Sequence, residues 1–149
     1  MRRELILKDL DEAVKECRRL FESGYEAKGN WSLGQICNHI RLTMESNMRG
    51  YPKWMSVLGY PLRPVFRKLA LPRLLAGRSI NGVRTAGTFV PIDGLDDASE
   101  LQLFEQCVED FMNSNEELHA HPGFGRMSRD QFNTFHAAHT AHHLSFLHD

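Results

Sequence analysis

The strongest constraint on what this chain can fold into is a local device that it uses four times. Asp9/Glu12, Ser32/Gln35, Asp97/Glu100 and Ser128/Gln131 each place a Ser or Asp three residues before a Glu or Gln. At that spacing the two side chains can satisfy each other's orphaned backbone donors at a helix start. Each pair leads into an apolar stripe with a period near 3.6. The stripes run Leu10, Ala13, Val14, Cys17, Leu20, Phe21; Leu33, Ile36, Cys37, Ile40, Met44; Leu101, Phe104, Val108, Phe111, Met112; and Phe132, Phe135, Phe146, Leu147. Gly24, Gly50 and Pro122 stand where these segments stop, as helix-ending residues do. Four helices of about 15 to 20 residues are predicted.

The connections set the expected architecture. Helices 1 and 2, and helices 3 and 4, are joined by short segments, which predicts two antiparallel neighbouring pairs. The stretch from Gly50 to Asp96 between helices 2 and 3 is too long for a plain loop and calls for structure of its own. Within it, PVFRKLALPRLLAG reads as a short extra helix kinked at Pro72, and TFVPI as a brief extended segment. The expectation is therefore all-α: one domain over residues 1–149, a four-helix bundle whose long crossover carries a short extra helix.

Composition excludes several function classes. The chain is 42% hydrophobic and 25% charged with net charge -1, ordinary globular values with no global field for nucleic acid. No run approaches the roughly 18 apolar residues of a membrane span, and Leu5 to Leu7 is far too short for a secretory core. Cys17, Cys37 and Cys107 sit at unrelated spacings inside the periodic segments, as buried thiols of a cytoplasmic protein would. Expected partners are a small molecule, not nucleic acid or membrane, and a homodimer is compatible with the sequence.

Charge is unevenly distributed. From Gly50 to Ile92 there is no Asp or Glu but there are seven cations, Lys53, Arg63, Arg67, Lys68, Arg73, Arg78 and Arg84, leaving 11 basic and 19 acidic residues elsewhere. Either the crossover docks on the acidic helices by charge complementarity, or Arg63, Arg67, Arg73, Arg78 and Arg84 contact an anion. Trp31 and Trp54 read as packing residues, and His119 and His121 as solvated loop residues.

The tail HAAHTAHHLSF, residues 136–146, holds four histidines. At 100° per residue, His136, His139 and His143 fall within roughly 60° of Phe132, on the buried face, and His142 lies at its edge. His139 and His143 are i and i+4, the spacing by which a helix offers two ring nitrogens to one ion. Three imidazoles on one apolar face are hard to satisfy with protein groups alone, and a metal resolves that problem. His136 is either a hydrogen-bonding supporter or proton carrier for such a site, or a core hydrogen-bonding residue.

WSLGQICNHI on helix 2 together with HTAHHLSFL on helix 4 resembles the DinB/YfiT-like superfamily of metal-binding four-helix bundles, in a branch of unknown function. The resemblance spans nearly the whole chain. It implies that His39 joins His139 and His143 as ligands of a divalent metal. It also implies a metal-dependent enzyme, either a thiol-dependent S-transferase or a related hydrolase or isomerase. Such an enzyme would use a low-molecular-weight thiol and a small, anionic or neutral substrate. The alternative is a non-catalytic metal-binding or stress-associated protein. Zinc and nickel suit three histidines best. The chain departs from the family at Thr140, where an acid is common, and at Leu144, Ser145 and Phe146, where many members carry Arg-Gly-Gln.

Overall fold

A computed structural model of the protein describes residues 2–78 and 85–149. Helices dominate it. In chain order they are α1 (Leu10–Ser23), α2 (Leu33–Arg49), the short α3 (Lys53–Gly59), α4 (Arg63–Val65) and α5 (Leu71–Leu75), and the long α6 (Asp97–Asn113) and α7 (Arg129–Leu144). Two two-residue strands, β1 (Glu26–Ala27) and β2 (Leu147–His148), pair antiparallel. Among the described residues the fold is all-α apart from that pair.

Ser32 and Ser128 make complete capping boxes with Gln35 and Gln131. At the other two starts the local code resolves differently. Asp9 accepts from the Glu12 amide, but the Glu12 carboxylate takes the Lys8 N–H instead of the Asp9 one. The N-cap of α6 is Asp96, not Asp97, and accepts from both the amide and the hydroxyl of Ser99.

Asp97 is thereby freed for another helix. Its Oδ1 accepts the Gly34 N–H at 2.7 Å and its Oδ2 the Tyr25 hydroxyl at 2.7 Å, while the Tyr25 oxygen accepts the Leu33 N–H at 2.9 Å. With Ser32 Oγ accepting from Gln35, the otherwise orphaned amides of α2's first turn are satisfied. A Cβ on Gly34 would sit 2.9 Å from Asp97 Oδ1 and 3.1 Å from its Cα. Gly34→Ala is therefore expected to cost about 1–3 kcal/mol by forcing α2 and α6 apart. Asp97→Ala should cost a similar amount by stranding two donors, whereas Asp96→Ala should cost about 1 kcal/mol as a lost cap. Urea titrations of the three variants check the ranking.

Hydrogen bonds fix the helix directions. Gly34 meets Asp97 and Asn38 meets Glu100, so α2 and α6 run parallel. The Leu10 amide donates to Asn133, and β1 just after α1 pairs with β2 just after α7, so α1 and α7 also run parallel. Around the core the principal contacts are α2 with α6 and α7, and α1 with α7 and α6. The sequence-adjacent pairs α1/α2 and α6/α7 are antiparallel as expected, but they are not the main packing neighbours. Residues 24–32 are long enough to cross the end of the core and are held there by β2, with the Lys28 amide donating to Phe146 O. Parallel packing of α2 on α6 also explains the crossover, because the chain must travel back along the molecule between them.

The interior is built from the expected stripes. Leu10, Leu20, Leu33, Ile40, Met44, Phe104, Phe111 and Phe132 are fully enclosed, with the free cysteines Cys17, Cys37 and Cys107 buried among them. Phe21 and Met112, at the stripe edges, are exposed instead. Phe146 and Leu147 do not continue the last helix. It stops at Leu144, the Ser145 hydroxyl donates to His142 O, and Leu147 is buried as part of β2.

The crossover is more helical than its breakers suggested. Helix begins at Lys53, passes through a 3-10 turn at Tyr60–Leu62, and continues to Leu75. The irregularity lies before Pro72, as a π-turn over Phe66–Ala70 in which the Leu71 amide donates to Phe66 O. A π-turn one turn ahead of a proline makes room for its ring. Gly87–Phe89 is a 3-10 turn that takes in Thr88 and Phe89 of the TFVPI stretch, and Val90 after it has extended backbone.

Candidate metal centre

Three histidines from two helices meet near one end of the interior. His39 is on α2, and His139 and His143 are one turn apart on α7, which runs antiparallel to it. His139 Nε2 lies 3.2 Å from His39 Nε2 and 3.2 Å from His143 Nε2. These donors could hold a metal ion, since one nitrogen of each lies within 4.8 Å of those of the other two. Ligands about 2.0–2.1 Å from a tetrahedral zinc are themselves about 3.3 Å apart, which the two separations to His139 match.

Proton bookkeeping supports the same fit. His39 Nδ1 stands 2.7 Å from the Phe89 carbonyl oxygen. That oxygen can only accept, so Nδ1 carries the proton and His39 Nε2 presents a lone pair to its neighbours. His139 Nε2 faces two nitrogens, and one hydrogen there would have to serve both. Meanwhile His139 Nδ1 is buried with no protein partner. Burial holds His39 below the usual imidazole range and lowers His139 well below it; it brings His143 down to about 2, with His39 nearby adding to the effect. Neutral rings are the form that binds a metal.

A family model described as "Protein of unknown function (DUF1569)" matches residues 1–149. The chain belongs to this family. No curated protein and no solved structure matches it.

In this DUF1569 member the centre has surroundings that sequence reasoning missed. Trp31 is not simple packing. Its ring stacks on His143 with centroids 5.0 Å apart and lies 5.0 Å from His39. The Ser32 cap puts Trp31 immediately before α2, which is the signal that could have placed it at the end of the histidine layer. A pocket of about 260 Å³ opens there, lined by Trp31, Asn30, Ile36, His142, His143 and Phe146. His142 also lines a neighbouring groove with Arg2, Arg3 and Arg78.

The remaining candidates are dispersed. His136 is fully buried, with Nε2 3.4 Å from Asn47 Oδ1 and its ring between Phe111 and Phe132. Its hydrogen bond runs to Asn47 and not to the three clustered rings. His119 is exposed as expected. His121 is not a solvated loop residue: it packs against Tyr51, Phe124 and Phe135, and its Nδ1 accepts the Gly123 and Phe124 amides. Thr140 and Ser145, where the chain departs from the resembled pattern, donate their hydroxyls to His136 O and His142 O.

Arg63 donates to Pro122 O, and Arg67 to Phe124 O and Arg126 O. Arg73 and Arg78 are exposed, and Arg84 lies outside the described residues. Among the described residues no crossover cation pairs with a carboxylate. The crossover docks through these carbonyl contacts and through Leu71, Leu74 and Leu75 packed on the core, and among the described residues no ion pair to the acidic helices holds it.

Proposed function

We propose that this chain is a DinB/YfiT-like four-helix bundle that works as a divalent-metal-dependent enzyme, with His39, His139 and His143 as the ligands. The observation that carries this reading is that His139 Nε2 lies at a tetrahedral-edge distance from both His39 Nε2 and His143 Nε2, with His39 held in the ligating tautomer by the Phe89 carbonyl. Three neutral ligands and no carboxylate or cysteine in the cluster correspond to an open, catalytic ligand set more than to a closed structural one. When bound there, the ion would supply Lewis acidity that makes a coordinated thiol or water a stronger nucleophile near neutral pH.

The protein groups then have separate tasks. Trp31 covers one face of His143 and His39 and keeps bulk water off the rings. Ile36 and Phe146 give the pocket apolar walls, which suit the alkyl part of a small thiol or its acceptor. His142, between this pocket and the groove lined by Arg78, is the group placed to hand a proton to a substrate bound across both. The reaction class we favour is thiol transfer or the related hydrolysis or isomerisation of a small substrate, with an anionic group directed to the Arg78 side.

The test begins with elemental analysis of protein purified without a His-tag. One zinc or nickel per chain is expected. Adding cobalt or nickel to metal-free Trp54→Phe protein should quench the remaining Trp31 emission, because an open-shell ion would lie within a ring's width of the indole. A screen of low-molecular-weight thiols with electrophiles follows, using the metal found. Substoichiometric metal and unchanged Trp31 emission would remove the basis of this function.

A further inference from the structure

The first half of the crossover helix is inside out. Trp54, Val57, Leu58, Leu62, Val65 and Leu69 recur at three- and four-residue steps, the spacing of one helical face. That face points to solvent: Val57 is 72% exposed, Leu58 65%, Leu69 58% and Trp54 51%. Along its first half the side turned to the protein carries Ser56, Gly59 and Arg63, and only its last turns dock apolar residues, with Leu71 buried and Ala70, Leu74 and Leu75 packed on the core. A Cβ on Gly59 would fall 2.4 Å from Pro122 O, and Arg63 donates to that same carbonyl. A helix that docks its first half through polar groups and its end through Leu71, Leu74 and Leu75, yet leaves a separate apolar stripe uncovered, presents that stripe to something outside the monomer.

Charge says what that is. Lys53, Lys68 and Arg73 are exposed beside the apolar stripe, and no acidic residue occurs between Gly50 and Ile92. A second copy is a poor occupant. A two-fold interface sets a patch against itself, so these cations would meet their own counterparts with no carboxylate between them. An anionic lipid surface answers both halves of the patch. Its headgroups neutralise the cations, and the acyl boundary takes the leucines and valines, with Trp54 and Tyr60 at the level where aromatic rings settle.

We propose that the outer face of residues 53–75 docks on an anionic lipid bilayer, seating the protein on the membrane surface without crossing it. This revises the sequence expectation of no membrane contact. It agrees with the finding that no helix among the described residues is long and apolar enough to span a membrane, and it stands independently of the metal reading.

The experiment uses the full chain with vesicles of phosphatidylcholine alone and of phosphatidylcholine mixed with phosphatidylglycerol. At low salt the protein should co-sediment with the mixed vesicles only, and Trp54 emission should shift to the blue, a shift absent from Trp54→Phe. Added salt should release it. Lys68→Glu should weaken partitioning at least about fivefold, from roughly 1 kcal/mol per basic residue at such a surface. Leu58→Asp with Leu69→Asp should abolish it with helical circular dichroism unchanged. If that double variant misfolds, Lys68→Glu and the salt titration still decide. Three outcomes would overturn the proposal: no partitioning at low salt, equal partitioning to neutral vesicles, or a dimer in sedimentation that Leu58→Asp dissociates.

Discussion

His139→Ala is expected to abolish stoichiometric metal binding, and the stability it costs should depend on whether metal is present. A ligand that binds only the folded state stabilises it by mass action, about 2.7 kcal/mol at a free concentration 100 times Kd. For a chain of this size that is roughly 5–10 °C in Tm. His139→Ala loses all of it, because its Nε2 is the atom that touches both other donors. In chelator the same substitution should cost much less. It opens a small cavity but also removes the crowded nitrogens and the unpartnered Nδ1. His143→Ala should behave alike. His39→Ala should lose metal and also strand the Phe89 carbonyl, leaving a penalty in both conditions. His142→Ala should retain metal. His136→Ala should be destabilised equally with and without metal, since it fills the core beside Phe111 and Phe132. Thermal melts with zinc and with chelator, paired with elemental analysis, measure all five. Equal metal content across them would sink the ligand assignment.

What could be read from the sequence follows a physical division. Capping is local, so the starts of α2 and α7 were legible to the residue from Ser32/Gln35 and Ser128/Gln131. The α6 start was one residue off because two adjacent aspartates both fit a cap. The choice between them is made by α2, whose Gly34 amide claims Asp97. Helical angle alone put His139 and His143 on one face, while His39 came from the family resemblance. The Phe89 carbonyl that fixes the His39 tautomer had no sequence signature, because any residue type supplies a carbonyl and only the path of the crossover delivers this one. Periodicity detects a stripe but not the side on which the core lies. That is why Trp54 read as packing and is exposed, and why His121 read as solvated and is packed.

Acidification of the metal-free protein should destabilise it well above the range where carboxylates titrate. Burial depresses His136 to about 3, with the charge of His121 adding to the effect, and depresses His121 to about 4, with Arg63 contributing. An unfolded histidine titrates near about 6.5. Between those limits the unfolded chain binds a proton at each ring and the folded chain does not, so unfolding gains proton uptake and stability falls as pH drops. The stabilisation from keeping these rings neutral is complete above about pH 6.5. Its loss grows by about 1.4 kcal/mol per pH unit per ring, reaching on the order of 2 kcal/mol for each at about pH 5, and stops growing once the folded ring also titrates. Glu16 is held below the ordinary carboxylate range by Arg19, opposed by its own burial and helped by Arg3, so its contribution is lost only at lower pH and leaves this window to histidine. In the unfolded chain the three clustered rings also take up protons in this interval, while burial holds them below the usual imidazole range in the folded one, so the wild-type slope in chelator should exceed two protons. His136→Gln keeps a donor for Asn47 but no titratable ring, and its slope between about pH 5 and 6.5 should be smaller by about one proton whatever its absolute stability. Urea titrations across that interval report the slope directly. An unchanged slope in His136→Gln would mean that the ring is already protonated in the folded core, and that Asn47 holds an imidazolium rather than a neutral imidazole.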